Sequence, residues 1–559
     1  MSGNSPVRWL VVPFLAVASL RAAAAEVPLI EAVKKADTTA VRAQLQRHAD
    51  VNAAEADGLT ALHWAARRND LETATLLIRA GANVKAANRF GVTPLALACT
   101  TATAPMIELL LKAGADPNST SGDGETALMT AALSGREDVL QTLIARGAEV
   151  NTKENWKGQT ALMWAAAGGH MGAIRVLIKA GADINARANG QFTPLLFAVR
   201  EGRIEAVRAL LEAGASPNDR ILKPLMGRRG PSGNEQVVTS ALALATINAH
   251  YELAALLLEK GADPNVPDAR GSILHALAWM RRPGLVVGQF QTQRRPPPTG
   301  TLDPLDLAKL LLAKRANPNT RIAWKEKRFD RDEGEALDPP DITVGRSFLT
   351  LVGATPFYLA ARNGDVALMR LLVANGADPL IGTVQNVTPL MAAAGLGSSD
   401  EETPGPKSGT PESERLEAVK LAYELGGDVN AVTDFGDTPI VGDGVELLRR
   451  YPDNLEEFPE TALGDMRWGG STALHGAATA SQHSIIHFLL EKGAKIDARN
   501  KLGWTPLMIA EGMLVGSFGR SWPETAELLR RLMRERNLDP ELYSQPASVP
   551  PRDRLRDNK

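Results

Sequence analysis

Apolar residues in this chain recur at helical spacing in short runs, and the runs come in pairs. Residues 157–187 read K-G-Q-T-A-L-M-W-A-A-A-G-G-H-M-G-A-I-R-V-L-I-K-A-G-A-D-I-N-A-R. The apolar run after Thr160 predicts a short first helix, and Gly168-Gly169-His170 predicts a turn. Residues 171–179, with Ile174, Leu177 and Ile178 on one helical face, predict a second helix running back. Gly181 predicts its end, because a left-handed residue is needed there and glycine has no Cβ to clash. Asp183-Ile184-Asn185 leads out into an extended turn.

The pattern repeats, and two anchors make its period measurable. Helix-opening T-[AP]-L-like tripeptides begin at Thr60, Thr93, Thr126, Thr160, Thr193, Ser240, Ser272, Thr355, Thr388, Thr472 and Thr505. Glycines of G-A-D-x-N-like elements fall at Gly81, Gly114, Gly147, Gly181, Gly214, Gly261, Gly376, Gly426 and Gly493. His48 and Arg315 hold the same place in variant units. Opener and glycine are 21 residues apart in nearly every unit, and His48, Gly81, Gly114 and Gly147 follow at steps of 33. Proline after the opener at 94, 194, 389 and 506 suits the first helical position, where its missing N–H costs nothing. The preceding threonine can cap the helix. Alanine pairs such as Ala65-Ala66, Ala131-Ala132 and Ala360-Ala361 let neighbouring first helices approach closely.

A 33-residue period carrying T-P-L-H, an alanine pair, a G-H turn and G-A-D-V-N resembles the ankyrin repeat, over about residues 28–538. The resemblance implies an all-α repeat solenoid. Each unit would be a helix-turn-helix stacked on its neighbours, with β-hairpin fingers projecting between units. Eleven openers and an opener-free cap give about twelve units. It also implies that His63 and His475, the histidines of T-P-L-H, tie fingers together by hydrogen bonds. His170 and His250 match the G-H turn and read as structural in the same way.

The same spacing divides the chain. Residues 26–56 form an N-terminal capping repeat and 57–219 a regular block. Residues 220–500 carry repeats with insertions at 220–236, 281–302, 320–352, 397–412 and 431–470. Residues 501–544 are a C-terminal capping repeat, and 545–559, rich in proline and charge, a disordered tail. The insertions at 220–236, 320–352 and 431–470 lie at the finger end, the other two in the turn between a unit's helices. Thr438-Pro439-Ile440 reads as a broken opener, so the longest insertion has room for a degenerate unit.

Composition narrows the function. A chain of 559 residues exceeds one compact core, a limit that a repeat array escapes. Net charge is -2, which argues against a general nucleic-acid binder. A single cysteine, Cys99, excludes an intrachain disulfide and Cys-rich zinc sites; it stands where other units carry alanine and reads as core. Arg8, the apolar run 9–20 and the alanines at 22–25 form the pattern of a signal peptide over 1–25, with cleavage around Ala25. An uncleaved anchor or an apolar N-terminal helix is the alternative. No later segment is apolar enough to span a membrane, so no stable span is expected after cleavage.

Catalytic signals are weak. His483, His487 and Glu491 share a helix face, but H-E-x-x-H is absent. The acidic stretch 330–335 puts glycine at position five, where a calcium loop needs it at six. No phosphate-binding loop or nucleophile elbow occurs in a suitable context. No catalytic, cofactor or metal residues are assigned and no cofactor is implied. Aromatic residues are only 5% of the chain, so their placement matters. Phe90, Trp156, Phe192, Phe435 and Trp504 sit just before openers, in or beside fingers, with Arg89, Lys157 and Arg187 nearby. Exposed aromatics and arginine are what binding hot spots favour, which makes these the candidate protein-binding residues. The alternative is that each packs on its neighbouring finger. Trp64 and Trp164 read as core or groove floor.

The expectation is a non-catalytic, exported scaffold, periplasmic or secreted, similar to exported bacterial ankyrin-repeat proteins. It would bind a protein partner through fingers and inner helices. Competing readings are a regulatory or inhibitory subunit of an exported enzyme, an enzyme with its site in the insertions, and a purely structural scaffold.

Overall fold

Each repeat after the first starts where a threonine or serine turns extended backbone into helix. At Thr93 (φ -96, ψ 163) the hydroxyl accepts from Ala96 N and Pro94 takes the first helical position. Thr126, Thr193, Ser240, Thr355, Thr388 and Thr505 cap their helices in the same way. The computed structural model describes residues 27–227, 230–266, 271–281, 298–322, 349, 351–397, 410–434, 468–512 and 521–544. The expected signal peptide over 1–25, the tail 545–559 and the broken opener at Thr438 lie outside them.

The chain divides into two units, Met1–Ala215 and Ser216–Lys559. The first holds six helix pairs: α1 Pro28–Lys34 and α2 Thr38–Gln46, α3 Ala61–Arg67 and α4 Leu71–Arg79, α5 Pro94–Thr101 and α6 Ala104–Lys112, α7 Ala127–Leu133 and α8 Glu137–Ala145, α9 Ala161–Gly168 and α10 Met171–Lys179, α11 Pro194–Arg200 and α12 Ile204–Glu212. First helices pack on first helices, and second on second, along the unit. The alanine pairs at 65–66, 131–132 and 165–166 are fully buried there. Leu77, Leu110, Leu143, Leu177 and Leu210 fill the same position of the second helices, each completely buried. Burial of such a side chain stabilises by about 1.5–3 kcal/mol.

The second unit holds six pairs, from α13 Ala241–Ile247 and α14 Tyr251–Glu259 to α23 Pro506–Ala510 and α24 Pro523–Arg534, then a short α25 Glu541–Ser544. The twelve helix pairs make the chain an all-α repeat solenoid. One element differs from an all-α reading. Residues of the 220–236 insertion form an antiparallel hairpin, β1 Arg220–Gly227 with β2 Gly230–Ser240. Proline at 224 and 231 and a register irregularity at Ile221/Leu222 mark it as an irregular two-stranded ribbon. The fingers themselves are tighter than the expected β-hairpins. They are turns carrying isolated bridges, Ala54 to Thr60 and Thr120 to Thr126.

At the other two finger insertions the stem still closes. Ile322 N donates to Ala354 O at 2.9 Å, and Gly353 N to Ile322 O at 2.7 Å. Thr433 N donates to Ser471 O at 3.0 Å, and Gly470 N to Thr433 O at 3.0 Å. Trp468, which falls inside the insertion expected at 431–470, is fully buried and belongs to this stem. The insertion therefore rejoins the core at least three residues earlier than the spacing suggested, at 468 instead of 471.

Two kinds of glycine serve the repeat. At Gly181 (φ +89) a Cβ would meet nothing, so glycine is needed only for its left-handed backbone. At Gly91 (φ +74) a Cβ would lie 2.7 Å from Gly122 N, so the residue also lets one finger touch the next. His48 (φ 58) and Arg315 (φ 65) adopt the left-handed conformation without glycine, as their place in the pattern requires. That strain costs roughly 1–2 kcal/mol per residue.

The histidines of the openers tie units together. Thr472 N donates to His475 Nδ1 at 3.1 Å, which leaves the proton on Nε2, 3.1 Å from Trp504 O in the next finger. His63 does the same between Thr60 and Val92 O. A third case, in S-I-L-H after the Ser272 opener, was not singled out in the sequence. His275 Nδ1 lies 2.8 Å from Ser272 Oγ, and its Nε2 3.1 Å from Ala354 O. Elsewhere methionine takes this place, and Met163 Sδ accepts from Thr160 N at 3.4 Å.

Burial dominates these imidazoles and holds His275 and His475 down at about 4, against a small opposing pull from the carbonyl each bonds. A pKa lower in the folded than in the unfolded state gives stability that is full above about 6.5 and drains away as pH falls towards 4. Unfolding at pH 5 should therefore cost about 2 kcal/mol less per histidine than at pH 7.5. Urea titrations at both pH values check this. His275→Met and His475→Met, which copy the residue used at 163, 391 and 508, should each flatten the dependence.

Candidate functional site

Several fingers are reverse turns closed by one polar side chain. In 86–92, Asn88 Oδ1 accepts from Phe90 N and Val92 N, both at 2.9 Å. In the last finger Asn500 Oδ1 accepts likewise from Leu502 N and Trp504 N, again at 2.9 Å. These residues stand five before their openers. Between Thr126 and Thr160 the step is 34 instead of 33, and the closing residue is Glu154, six before its opener. The longer side chain spans the extra residue. Glu154 is 6% exposed and its carboxylate accepts from Trp156 N (2.6 Å), Lys157 N (2.9 Å) and Gln159 N (2.8 Å). A carboxylate buried this far is tolerated because backbone donors replace its water.

The finger tips are also bonded to one another. Arg89 N donates to Asp57 O (3.1 Å), Gly122 N to Phe90 O (2.9 Å), Asn155 N to Asp123 O (2.9 Å) and Asn189 N to Lys157 O (2.8 Å). Five fingers of the first unit thus form one hydrogen-bonded row.

On this row the sequence candidates separate into two groups. Phe90 is 65% exposed and Trp156 59% exposed, at the tips of alternate fingers. Arg89 is exposed beside Phe90. Lys157 Nζ stands 4.4 Å from the centre of the Trp156 ring. Phe192 does not project. It is half-buried against the Met163, Ala186, Ala188 and Phe197 cluster, its ring 5.4 Å from Phe197, with the Arg200 guanidinium at 5.1 Å. Trp504, in the second unit, is buried at 7% exposure and offers its carbonyl to His475. The expectation of an exposed tip fails for both. Each directly precedes an opener and is turned inward from the tip. Arg187 is half-buried and donates to Gln191 O at 2.7 Å, while its own carbonyl accepts from Lys153 Nζ at 2.8 Å. Phe435 lies outside the described residues.

Lys153, Arg200 and Glu154 were missed in the sequence. The signal for Glu154 was the single 34-residue step. Trp64 lies on the inner-helix face, its Nε1 donating to Glu55 at 2.8 Å, with Lys34 and Arg67 4.9 and 5.3 Å from its ring. Between the two aromatic tips the 119–125 finger is acidic. Burial first, and then the charges of Asp123 and Glu154, hold the Glu125 carboxyl above its ordinary range.

Groups suited to chemistry are occupied structurally. Burial pushes the Cys99 thiol up to about 12, which removes the thiolate a nucleophile would need. His483 Nε2 lies 3.0 Å from Thr525 Oγ1. In the second unit a recess of about 540 Å³ is lined by Arg281, Asn363, Asp365, Thr410, Glu414 and Glu417. Its one cation among these, Arg281, is spent on Asp365 through bonds of 2.7 and 3.1 Å.

Replacing Glu154 with alanine should release the Trp156 tip while leaving the helices folded. Hydrogen exchange should show the amides of Trp156, Lys157 and Gln159 losing protection, with those of α9 and α10 unchanged. Loss of these charge-assisted bonds should lower stability by about 2–4 kcal/mol.

Comparison with known proteins agrees with this architecture. A family model described as ankyrin repeats (3 copies) matches residues 29–121, 87–154 and 128–221. One for ankyrin repeats (many copies) matches 474–510, and one for the single ankyrin repeat matches 239–269 and 352–384. Among curated proteins, the chain is 30% identical over 94 residues to the ankyrin repeat protein OPG189 of Variola virus (isolate Human/India/Ind3/1967). A second Variola virus protein of that name matches to the same extent. The match covers 16% of this chain and 16% of each relative. With twelve helix pairs, capped openers and ankyrin models matching 29–221, 239–269, 352–384 and 474–510, the chain belongs to the ankyrin-repeat family.

Proposed function

We propose that this protein is a non-catalytic scaffold, exported to the periplasm or the cell exterior, that binds a protein partner. Binding would use the finger row of the first unit and the inner-helix face beside it. Ankyrin repeats are generally protein–protein interaction modules. The observation that carries the reading is the exposure of Phe90 and Trp156 on a row whose backbone is tied from finger to finger. Large exposed aromatics on a soluble surface are costly unless they are used. A surface already held in place binds without a large ordering cost.

Affinity capture from the exported fraction tests this. A stoichiometric partner should be retained by the wild-type chain. Phe90→Ala with Trp156→Ala should weaken retention by at least ~100-fold, as loss of two hot-spot side chains does. The thermal midpoint should stay unchanged, since neither ring packs in the core. Equal retention by both chains would refute this surface, and turnover of a substrate by the isolated chain would refute the non-catalytic reading.

Export rests on the apolar run at 9–20 and the alanines at 22–25. Expressed in a secreting bacterial host, the chain should be recovered outside the cytoplasm with an intact mass lacking about the first 25 residues. A full-length mass in the cytoplasm would overturn it.

A further inference from the structure

The finger row carries charge in an ordered sequence, and that order constrains what lies on it. The finger 53–59 presents Asp57, its Glu55 being bonded to Lys34 and Trp64; 86–92 presents Arg89, 119–125 presents Asp123 and Glu125, and 152–159 presents Lys153 and Lys157. The two exposed aromatics stand only on the cationic fingers, Phe90 next to Arg89 and Trp156 next to Lys157. Each pair is therefore an apolar face beside a positive charge. In the same finger Glu154 is buried, with its carboxylate turned onto the backbone N–H groups of its own turn and not onto the Lys157 ammonium. Lys153 is held by a neutral acceptor, the carbonyl of Arg187. The two pairs keep a fixed separation, because Gly122 N bonds Phe90 O and Asn155 N bonds Asp123 O across the acidic finger between them.

We infer that this row takes an extended segment of a partner protein bearing two apolar side chains, each flanked by a carboxylate, with no carboxylate in the stretch between. The apolar groups sit on Phe90 and Trp156 and the carboxylates meet Arg89 and Lys157. Asp123 and Glu125 repel acid at the middle and so set the register of the two ends, as like charges across an interface do. The inference rests on the binding surface proposed above and adds the chemistry of what it binds.

A random-peptide library panned against the full chain, with Trp156→Ala as the counter-selecting chain, tests it. The peptides recovered should share two acidic–apolar pairs around a neutral or basic centre. Raising salt should weaken them, since the contacts are at the surface. Arg89→Glu with Lys157→Glu should bind them at least about tenfold more weakly and select basic–apolar pairs instead. Arg89→Gln with Lys157→Gln should fall between the two. Both variants change exposed side chains, and circular dichroism checks that each is folded. Peptides that depend on Trp156 but are neutral or basic at both ends would overturn the inference and leave the binding surface standing. So would acidic peptides that bind the charge-reversed chain equally well. Recovery of no peptide that depends on Trp156 would overturn both.

Discussion

At seven places an asparagine amide holds one repeat to the next, and the rest of the structure depends on the spacing these set. Asn151 Nδ2 donates to Gly181 O at 3.0 Å, while its Oδ1 accepts from Asp183 N at 2.8 Å. The side chain thus stands in for a peptide group and reads the backbone on both sides of the following left-handed turn. Asn52 and Asn118 make the same pair of bonds in the first unit, and Asn218, Asn265, Asn319 and Asn430 in the second. Each bond adds only about 1 kcal/mol net. The buried leucines and alanines supply more energy, but apolar contact is non-directional and would tolerate sliding. The amide fixes where one unit sits on the next. Where the pattern lapses, as at Leu380, the substitute lies 53% exposed, making only ordinary contact with the position a Cβ on Gly426 would take.

Fixed spacing at the asparagines propagates to the finger tips. Once successive turns are at set positions, their tips meet closely enough for one backbone to bond the next, and glycine at 91 becomes necessary because a Cβ there has no room. The rigidity of the proposed binding row is thus a consequence of the stack.

The fold was legible because the repeat states it many times. Opener, alanine pair and glycine recur in phase, so an error at one unit is corrected by its neighbours. The candidate site had no such redundancy, and position within the finger decided the outcome. Phe90 and Trp156 stand three and four residues before their openers, at the tip, and are exposed. Phe192 and Trp504 stand one residue before; Phe192 packs on a cluster that includes Phe197 of the first helix, and Trp504 is buried. All four looked alike as aromatics near an opener; only the register distinguishes them. His275 was missed although its opener was read at Ser272: S-I-L-H departs from T-P-L-H at its first two positions, yet the serine hydroxyl contacts the imidazole as threonine's does.

The 34-residue step shows how an array of near-identical parts acquires an individual feature. One added residue lengthens the 152–159 turn, and asparagine or serine can no longer reach across it. Glutamate can, and its carboxylate then collects donors from Trp156, Lys157 and Gln159. An uncompensated buried carboxylate would cost several kcal/mol, so the extra residue and the acid are each destabilising without the other. Together they lift a tryptophan and a lysine out of the row at a fixed angle, ring and ammonium 4.4 Å apart, while the flanking units keep their spacing. The insertion is absorbed at the tip because the asparagine pairs at 118 and 151 lie on either side of it and hold the stack unchanged. Variation at the edge is possible here because the register is set elsewhere.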